Sequence, residues 1–143
     1  MIHNLGKKMA DPGIIDEFVR RMNLNLNNQD DSKKDCIIRC KYQNGTLSMQ
    51  ITIRDNLNRL FIEVGWWKDT WEIIQKAFLD YSDVTTVQII GYFPIVDVYG
   101  KTQNKKIAYI CLPITEFFKI NRDVFLPNNL PKIGEGFFHW PDE

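Results

Sequence analysis

Cysteine and histidine are scarce in this sequence, which has three cysteines and two histidines among 143 residues. The odd number of thiols argues against a disulfide framework. Cys36 and Cys40 are four residues apart in a strand-like run, so they share one face about 13 Å from each other, too far for a bond between them. We expect buried free thiols, while a bond from either residue to Cys111 stays open as an alternative.

The same scarcity weighs against a metal centre. The two histidines, His3 and His139, lie at opposite ends of the chain. A structural zinc site needs clustered ligands at set spacing, and Cys36 and Cys40 have no second pair of ligands to complete such a set. We therefore predict no metal and no cofactor.

Long hydrophobic runs are also missing. No stretch of about 18 apolar residues occurs, so the sequence contains no candidate for a transmembrane helix. Lys7 and Lys8 are not followed by an apolar core, which argues against a signal peptide. We expect a cytoplasmic protein if the chain is complete, and an extracytoplasmic, membrane-anchored protein if an N-terminal segment has been removed.

Neither sign of charge dominates, because 18 Lys and Arg residues balance 18 Asp and Glu residues. Proteins that bind nucleic acid usually concentrate their basic residues in one stripe. Here the basic pairs, such as Arg20 with Arg21 and Lys105 with Lys106, are scattered along the chain. We therefore predict no nucleic-acid partner and assign these charges to the solvated surface.

Recognisable catalytic motifs are absent from the sequence. Its three serines lie outside any Gly-x-Ser-x-Gly elbow, and Gly134 and Gly136 do not continue into a phosphate-binding loop. Cys111 stands in an apolar strand, where a thiol is inert. The pattern favours a protein that is not an enzyme. Four carboxylates near the aromatic centre keep glycoside hydrolysis open as a minor alternative, namely Glu63, Glu72, Asp83 and Asp97.

Aromatic residues are abundant, at 13% of the chain, and the length suits one well-filled core. We predict a flexible N-terminus at residues 1–12 and a single domain at residues 13–143. The fold class is α+β, with an antiparallel sheet of four to five strands and one main helix, at about residues 69–81, packed on the sheet. Short helices are expected near residues 13–23 and 115–121, and a cystatin-like or NTF2-like sandwich is the structural analogy.

Alternating apolar residues and turn signals predict four strands in two hairpins, at residues 35–42, 46–53, 84–98 and 105–115. The first hairpin turns at Asn44 and Gly45, which tolerate the positive φ angles of a tight turn. The stretch at residues 59–64 stays open between a third strand and the approach to the main helix.

The main helix is predicted to begin at Asp69 or Thr70, because either side chain can cap free backbone N–H groups. We favour core packing for its tryptophans over the alternative, an exposed aromatic platform for a ligand or partner. The apolar stripe of the helix contains Trp67, Trp71, Ile74 and Phe78.

The second hairpin has two unusual features. Gly91 and Pro94 interrupt its first strand. Because proline cannot donate to a sheet ladder, the second half of that strand should lie at an edge or follow a bulge. The return strand is apolar on both faces, with Ile107 on one side and Ile110 on the other. This pattern predicts a hairpin that is covered on both sides or buried in an oligomer.

The second half of the chain also contains a series of short motifs. They are the helix at residues 70–78, the strand at 84–87, Asp97-Val98-Tyr99-Gly100-Lys101, Lys119-Ile120-Asn121, Asn129-Leu130-Pro131 and Phe138-His139-Trp140-Pro141. From Asn56 to Pro141 the chain resembles an uncharacterised extracytoplasmic domain of membrane-anchored proteins from Gram-positive bacteria. That domain has a similar Asp-x-Tyr-Gly-Asn turn, a Lys-Ile-Asn and an aromatic-His-Pro ending. The resemblance implies a domain tethered through an N-terminal helix, and it implies no known activity.

Together these observations favour a non-enzymatic module that binds a protein partner or associates with itself as a homo-oligomer. The alternative is a small-molecule or carbohydrate-binding domain, hydrolytic or not, with a pocket between the helix and the sheet. No catalytic residue is predicted. The candidate binding residues are Trp66, Trp67, Trp71, Tyr92, Phe93, Asp97 and Tyr99.

Overall fold

The computed structural model describes residues 8–30 and 32–141, and most of the predicted flexible segment, at residues 1–7, lies outside them. The described chain is α+β, as predicted, and its five strands form one mostly antiparallel sheet. The elements are α1 (Pro12–Leu26), β1 (Ile37–Gln43), β2 (Thr46–Thr52), α2 (Arg59–Asp80), β3 (Thr86–Val96), β4 (Thr102–Pro113), α3 (Ile114–Phe117), a 3-10 turn (Pro127–Asn129), α4 (Leu130–Ile133) and β5 (Glu135–Phe138).

The strands lie side by side in chain order, from β1 to β5. One neighbouring pair departs from the predicted antiparallel pattern, because β2 and β3 run parallel. A parallel pair needs a long crossover to bring the chain back to the starting end of the sheet. The 22-residue helix α2 supplies that crossover.

The start of α2 corrects the predicted helix boundary. The helix begins at Arg59, and the side chain of Asn58 caps it by accepting a hydrogen bond from the Phe61 N–H at 3.0 Å. Asp69 and Thr70, the predicted caps, instead lie in the helix interior and are buried. The prediction was wrong because Leu60, Phe61 and Val64 point to solvent, so the first turns lack the polar outer face of an amphipathic helix.

One hydrophobic core lies between the helices and a single face of the sheet. The buried face alternates along the strands, as with Met49 in β2, Ile89 in β3 and Ile110 in β4. On the opposite face Gln88 and Tyr109 are half-exposed. The prediction that the second hairpin is covered on both sides is therefore wrong for the described chain, and burial in an oligomer stays a prediction.

All three cysteines are free thiols, as expected. Cys36 is buried, while Cys40 and Cys111 are half-buried. A bond between Cys40 and Cys111 is ruled out because β2 and β3 separate their strands. Burial raises the pKa of the Cys40 thiol to about 12, which keeps it protonated and unreactive.

An arginine holds the connection between β2 and α2 in place. Arg54 donates two hydrogen bonds to the Asp69 carboxylate, at 2.9 and 2.7 Å, and a further one to the backbone carbonyl of Leu26. The Asp69 side chain is 8% exposed and that of Arg54 is 41% exposed. Arg54, in the loop between β2 and α2, therefore connects the middle of α2 through its bidentate pair and the end of α1 through its bond to Leu26.

We expect Arg54→Met to lower the free energy of unfolding at pH 7 by about 2 kcal/mol, below the range for a fully buried pair because Arg54 is partly solvated. Burial raises the pKa of Asp69, and Arg54 opposes that rise. Without Arg54 the pKa of Asp69 in the folded protein rises further above the pKa of the same group in the unfolded chain. Protonation then favours the folded state, so part of the lost stability returns as the pH falls toward the unfolded pKa.

Urea denaturation at pH 7 and pH 5 measures this effect. Arg54→Met combined with Asp69→Asn is the matched control, because it has no carboxyl group to titrate at this position. The pH dependence of the single variant should exceed that of the double variant in the stated direction. Equal pH dependence in the two proteins would show that Asp69 does not titrate in this way.

Candidate interaction surface on the second hairpin

The β3–β4 hairpin extends beyond the rest of the sheet as a two-stranded arm. β2 ends at Thr52, which lies opposite Tyr92 of β3. Beyond Tyr92, β3 pairs with β4 alone among the described strands. We call residues 93–105 the hairpin arm. Pro94 lies in this stretch, where the missing donor is tolerated on an edge, so the predicted edge position is confirmed.

A β-bulge marks the base of the arm. Gly91 pairs with Ala108 and Tyr92 pairs with Lys106, so Ile107 is the extra residue in β4. Both Ile107 and Ala108 are buried as a result. The second half of β3 therefore follows a bulge as well as lying at an edge, which are the two alternatives that the sequence left open.

Trp66 of α2 fills the space above Gly91. A Cβ atom at residue 91 would lie 2.5 Å from Trp66 Cζ3 and 2.9 Å from Ile53 Cδ1. A glycine is therefore needed for the indole ring to approach the strand this closely. The tryptophan supports the base of the arm from inside the core and presents no surface to solvent, since it is buried.

The turn at the end of the arm is held by Asp97. Its carboxylate accepts hydrogen bonds from the backbone N–H groups of Tyr99 and Lys101, at 2.8 and 2.9 Å. The Asp97 N–H donates to the Lys101 carbonyl, and the Gly100 N–H donates to the Asp97 carbonyl. Gly100 has a φ of 78°, a conformation that glycine adopts at little cost. The turn therefore has a defined shape without any partner.

This ordered turn presents apolar side chains to solvent. Val96, Val98 and Tyr99 are 64%, 94% and 84% exposed, and we call these three residues the arm tip. An exposed apolar cluster on an ordered segment is a common property of protein–protein contact sites. Because the turn is already ordered, binding through it costs little conformational entropy.

The other predicted binding residues lie away from the arm tip. Trp66, Trp67 and Trp71 are buried, so core packing is confirmed and the exposed aromatic platform is wrong. Phe93 packs edge-on against Trp140 at a ring-centroid distance of 5.4 Å.

Tyr92 is half-exposed at the base of the arm. Of the seven predicted residues, the structure thus brings Asp97 and Tyr99 together at the turn. Tyr92 and Phe93 lie earlier in β3, at the base of the arm. A binding role for any of the seven stays a prediction.

The space between α2 and the sheet is filled by core side chains, which include Trp66, Ile73 and Ile89. Glu63 and Trp67 line a small cavity of about 270 Å³ beside α4 and β5, and Asp97 is not among its lining residues. The geometry therefore offers no support for a ligand pocket beneath the helix.

Across residues 8–30 and 32–141, no three His, Cys, Asp or Glu side chains are grouped as a metal site would require. Over the same ranges, no helix combines the length and the hydropathy needed to cross a bilayer.

An aromatic row crosses the uncovered face of the sheet. The rings of Tyr109 and Phe137 stack with centroids 6.0 Å apart, and those of Phe137 and His139 stack at 5.4 Å. The Gln88 amide donates to the Tyr109 hydroxyl at 3.0 Å, and the Ser48 hydroxyl donates to Gln88 at 3.2 Å. These rings cover one another's faces, so they are less available for a partner than the arm tip.

The start of α2 carries a second group of exposed apolar residues, which the sequence interpretation missed. Leu60, Phe61 and Val64 are exposed on the helix, and Leu57, which precedes the Asn58 cap and lies outside the helix, is 87% exposed. Leu60 and Val64 also line the small cavity beside α4 and β5. The helical spacing of Leu60, Phe61 and Val64 is informative only once α2 is known to begin at Arg59.

Comparisons of the chain with protein-family profiles, with curated proteins and with solved structures gave no match.

We expect Asp97→Ala to loosen the arm turn while leaving the core intact. The substitution removes two hydrogen bonds from backbone N–H groups, so the amides of Tyr99 and Lys101 should exchange with solvent at least about tenfold faster. Hydrogen exchange followed by NMR measures these rates. Asp123→Ala removes an exposed carboxylate elsewhere and is the control. Unchanged exchange at Tyr99 and Lys101 would mean that Asp97 does not hold the turn.

Proposed function

We propose that this chain is a non-enzymatic module that binds protein, either a separate partner or a second copy of itself, through the arm tip. The observation that carries the proposal is the exposure of Val96, Val98 and Tyr99 on a turn that Asp97 keeps ordered. A solvent-exposed apolar cluster costs solubility unless it is covered in a complex.

The shape of the arm supports this function. Two strands extend past the end of β2, so the arm tip can enter a concave surface on a partner. Lys101 is exposed beside the arm tip, whereas Lys105 pairs with Phe93 near the base of the arm. A positive charge therefore borders the apolar tip, which favours a partner with an acidic residue beside an apolar contact.

Site-specific photo-crosslinking in native cells tests the proposal. A benzophenone amino acid at Val98 should yield a covalent adduct with one defined protein, identified by mass spectrometry. The same group at Lys76, on the outer face of α2, is the control for random collisions. Asp97→Ala should reduce the Val98 adduct because the arm tip loses its shape. The absence of a Val98 adduct, or equal adducts at Lys76, would contradict the proposal.

We further propose that this module works outside the cytoplasm as the soluble part of a membrane-anchored protein. The support is the resemblance of residues 56–141 to an extracytoplasmic domain of membrane-anchored proteins. An arm tip that faces outward would then meet partners at the cell surface.

Labelling of the natural gene product in intact cells tests the location. A cysteine introduced by Lys76→Cys should react with a membrane-impermeant thiol reagent in intact cells. The unsubstituted protein is the control, because its cysteines are buried or half-buried. Labelling that appears only after the cells are lysed would place the domain in the cytoplasm and refute the proposed location.

A further inference from the structure

The free edge of β1 is closed at its start and open along the rest of the strand. Among the described strands, β1 pairs with β2 alone, so its other side is an edge of the sheet. At the start of this edge the Asn23 side chain of α1 donates to the Ile37 carbonyl at 3.3 Å and accepts from the Ile37 N–H at 2.8 Å. The helix therefore satisfies the backbone of Ile37 in place of a further strand.

Beyond Ile37, alternate residues of β1 direct their backbone groups to the open edge. Gln43 is the last residue before the tight two-residue turn, so its N–H and C=O groups face β2. Because the direction alternates along a strand, Cys40 and Tyr42 turn theirs outward. Such unpaired groups are a template for an added strand.

A groove runs beside the open part of the edge. It has a volume of about 340 Å³ and lies between the first turns of α1 and the second half of β1. Ile15 of α1 lines it together with Cys40 and Tyr42, and all three are buried or half-buried. The exposed residues Asp11 and Asp16 border it on the helix side. Side chains on one face of an added strand would enter this groove.

Basic side chains occupy the opposite face of the same edge. Arg39 and Lys41 are exposed, and their register with β2 places them on the uncovered face of the sheet, although Lys41 also borders the groove on the strand side. Neither forms an ion pair with another described residue. Strands β2 and β3 contain no charged residue. The uncovered face of this edge is therefore basic, while the carboxylates lie on the helix side.

The two basic residues decide which strand this edge can accept. A second copy of β1 in antiparallel pairing would bring the Arg39 and Lys41 side chains of both strands together on one face, where like charges destabilise a sheet. Charged residues on an edge commonly prevent such self-pairing. Acidic side chains at the same positions would instead form cross-strand pairs of opposite charge.

We propose that the open edge of β1 binds an extended, acidic segment of another protein as an added strand. Cys40 and Tyr42 exchange backbone hydrogen bonds with the segment, which supply the affinity. The carboxylates of the segment lie beside Arg39 and Lys41, and its alternate apolar side chains enter the groove beside Ile15. This contact uses a different part of the chain from the arm tip, so it does not depend on the proposed function.

Binding of a synthetic peptide tests the proposal. The probe is a short fluorescein-labelled peptide in which glutamate and valine alternate, and fluorescence anisotropy measures its binding to the unsubstituted chain. In hydrogen exchange followed by NMR, the bound peptide should slow exchange of the Cys40 and Tyr42 amides at least about tenfold. The Tyr99 amide, in the arm turn, is the internal control and should be unchanged. Absence of slowing at Cys40 and Tyr42 would overturn the inference.

N-methylation of the peptide distinguishes strand pairing from attraction between charges. One version is methylated at the backbone nitrogens of its valines and the other at those of its glutamates, and both versions keep every charge. Only one set of N–H groups can face β1, so one version should bind at least about tenfold more weakly than the other. Equal affinities would show that the peptide is not added as a strand, which would also overturn the inference.

Charge reversal tests the side-chain pairs. Arg39→Glu with Lys41→Glu should weaken binding of the glutamate peptide at least about tenfold, and a peptide with lysine in place of glutamate should bind this variant instead. Lys76→Glu with Lys132→Glu makes the same change of net charge on α2 and α4 and is the matched control. All four residues are exposed, and circular dichroism checks that each variant is folded. Equal weakening by the two double variants would mean that net charge alone governs binding, and the inference would be wrong.

A second copy of the chain is the competing occupant of this edge. If exchange at Cys40 and Tyr42 slows as the concentration of the protein alone is raised, and sedimentation equilibrium shows a dimer over the same range, β1 pairs with itself and the inference of an acidic partner is wrong. A monomer whose edge is protected only when the glutamate peptide is added supports the inference.

Discussion

The path of the chain depends on the pair between Arg54 and Asp69. The chain leaves β2 at one edge of the core and must enter a helix that carries it back for the parallel strand β3. Arg54 fixes the position of that exit because it bonds both to Asp69 in α2 and to the end of α1 at Leu26. Leaving either charge of such a pair without its partner is costly. The crossover is therefore held by directed bonds as well as by hydrophobic packing.

The arm follows from a mismatch in strand length. β2 has seven residues, whereas β3 and β4 have 11 and 12, so β2 cannot accompany the hairpin along its whole length. Trp66 of helix α2 packs directly on Gly91 at the base of the arm. Beyond that contact Phe93 and Ile95 still pack against the edge of the core, and the end of the hairpin depends on its own ladder and on the turn at Asp97. The β3–β4 hairpin thus contributes to the middle of the core with one half and extends past the sheet with the other.

Much of the fold was predictable because the alternation of apolar residues is local. The hairpin at Asn44 and the long second hairpin follow from turn chemistry and period, and the break at Pro94 follows from its missing donor. The start of α2 was not predictable in this way, since an apolar outer face conceals the helical period. The exposure of Val98 was equally hidden, because it depends on where β2 ends, which is a property of strand pairing and not of the residues near Val98.

The bulge at Ile107 has a consequence for how the length of the arm can vary. Side chains in a strand alternate between the two faces, so the side on which Val96 lies is set by counting residues from the core. The extra residue at Ile107 changes that count once, on β4 alone. Insertions of two residues in each strand of the arm would lengthen its reach and keep the apolar side facing the same way. A single inserted residue in each strand would lengthen the arm by half as much and turn its apolar side to the other face.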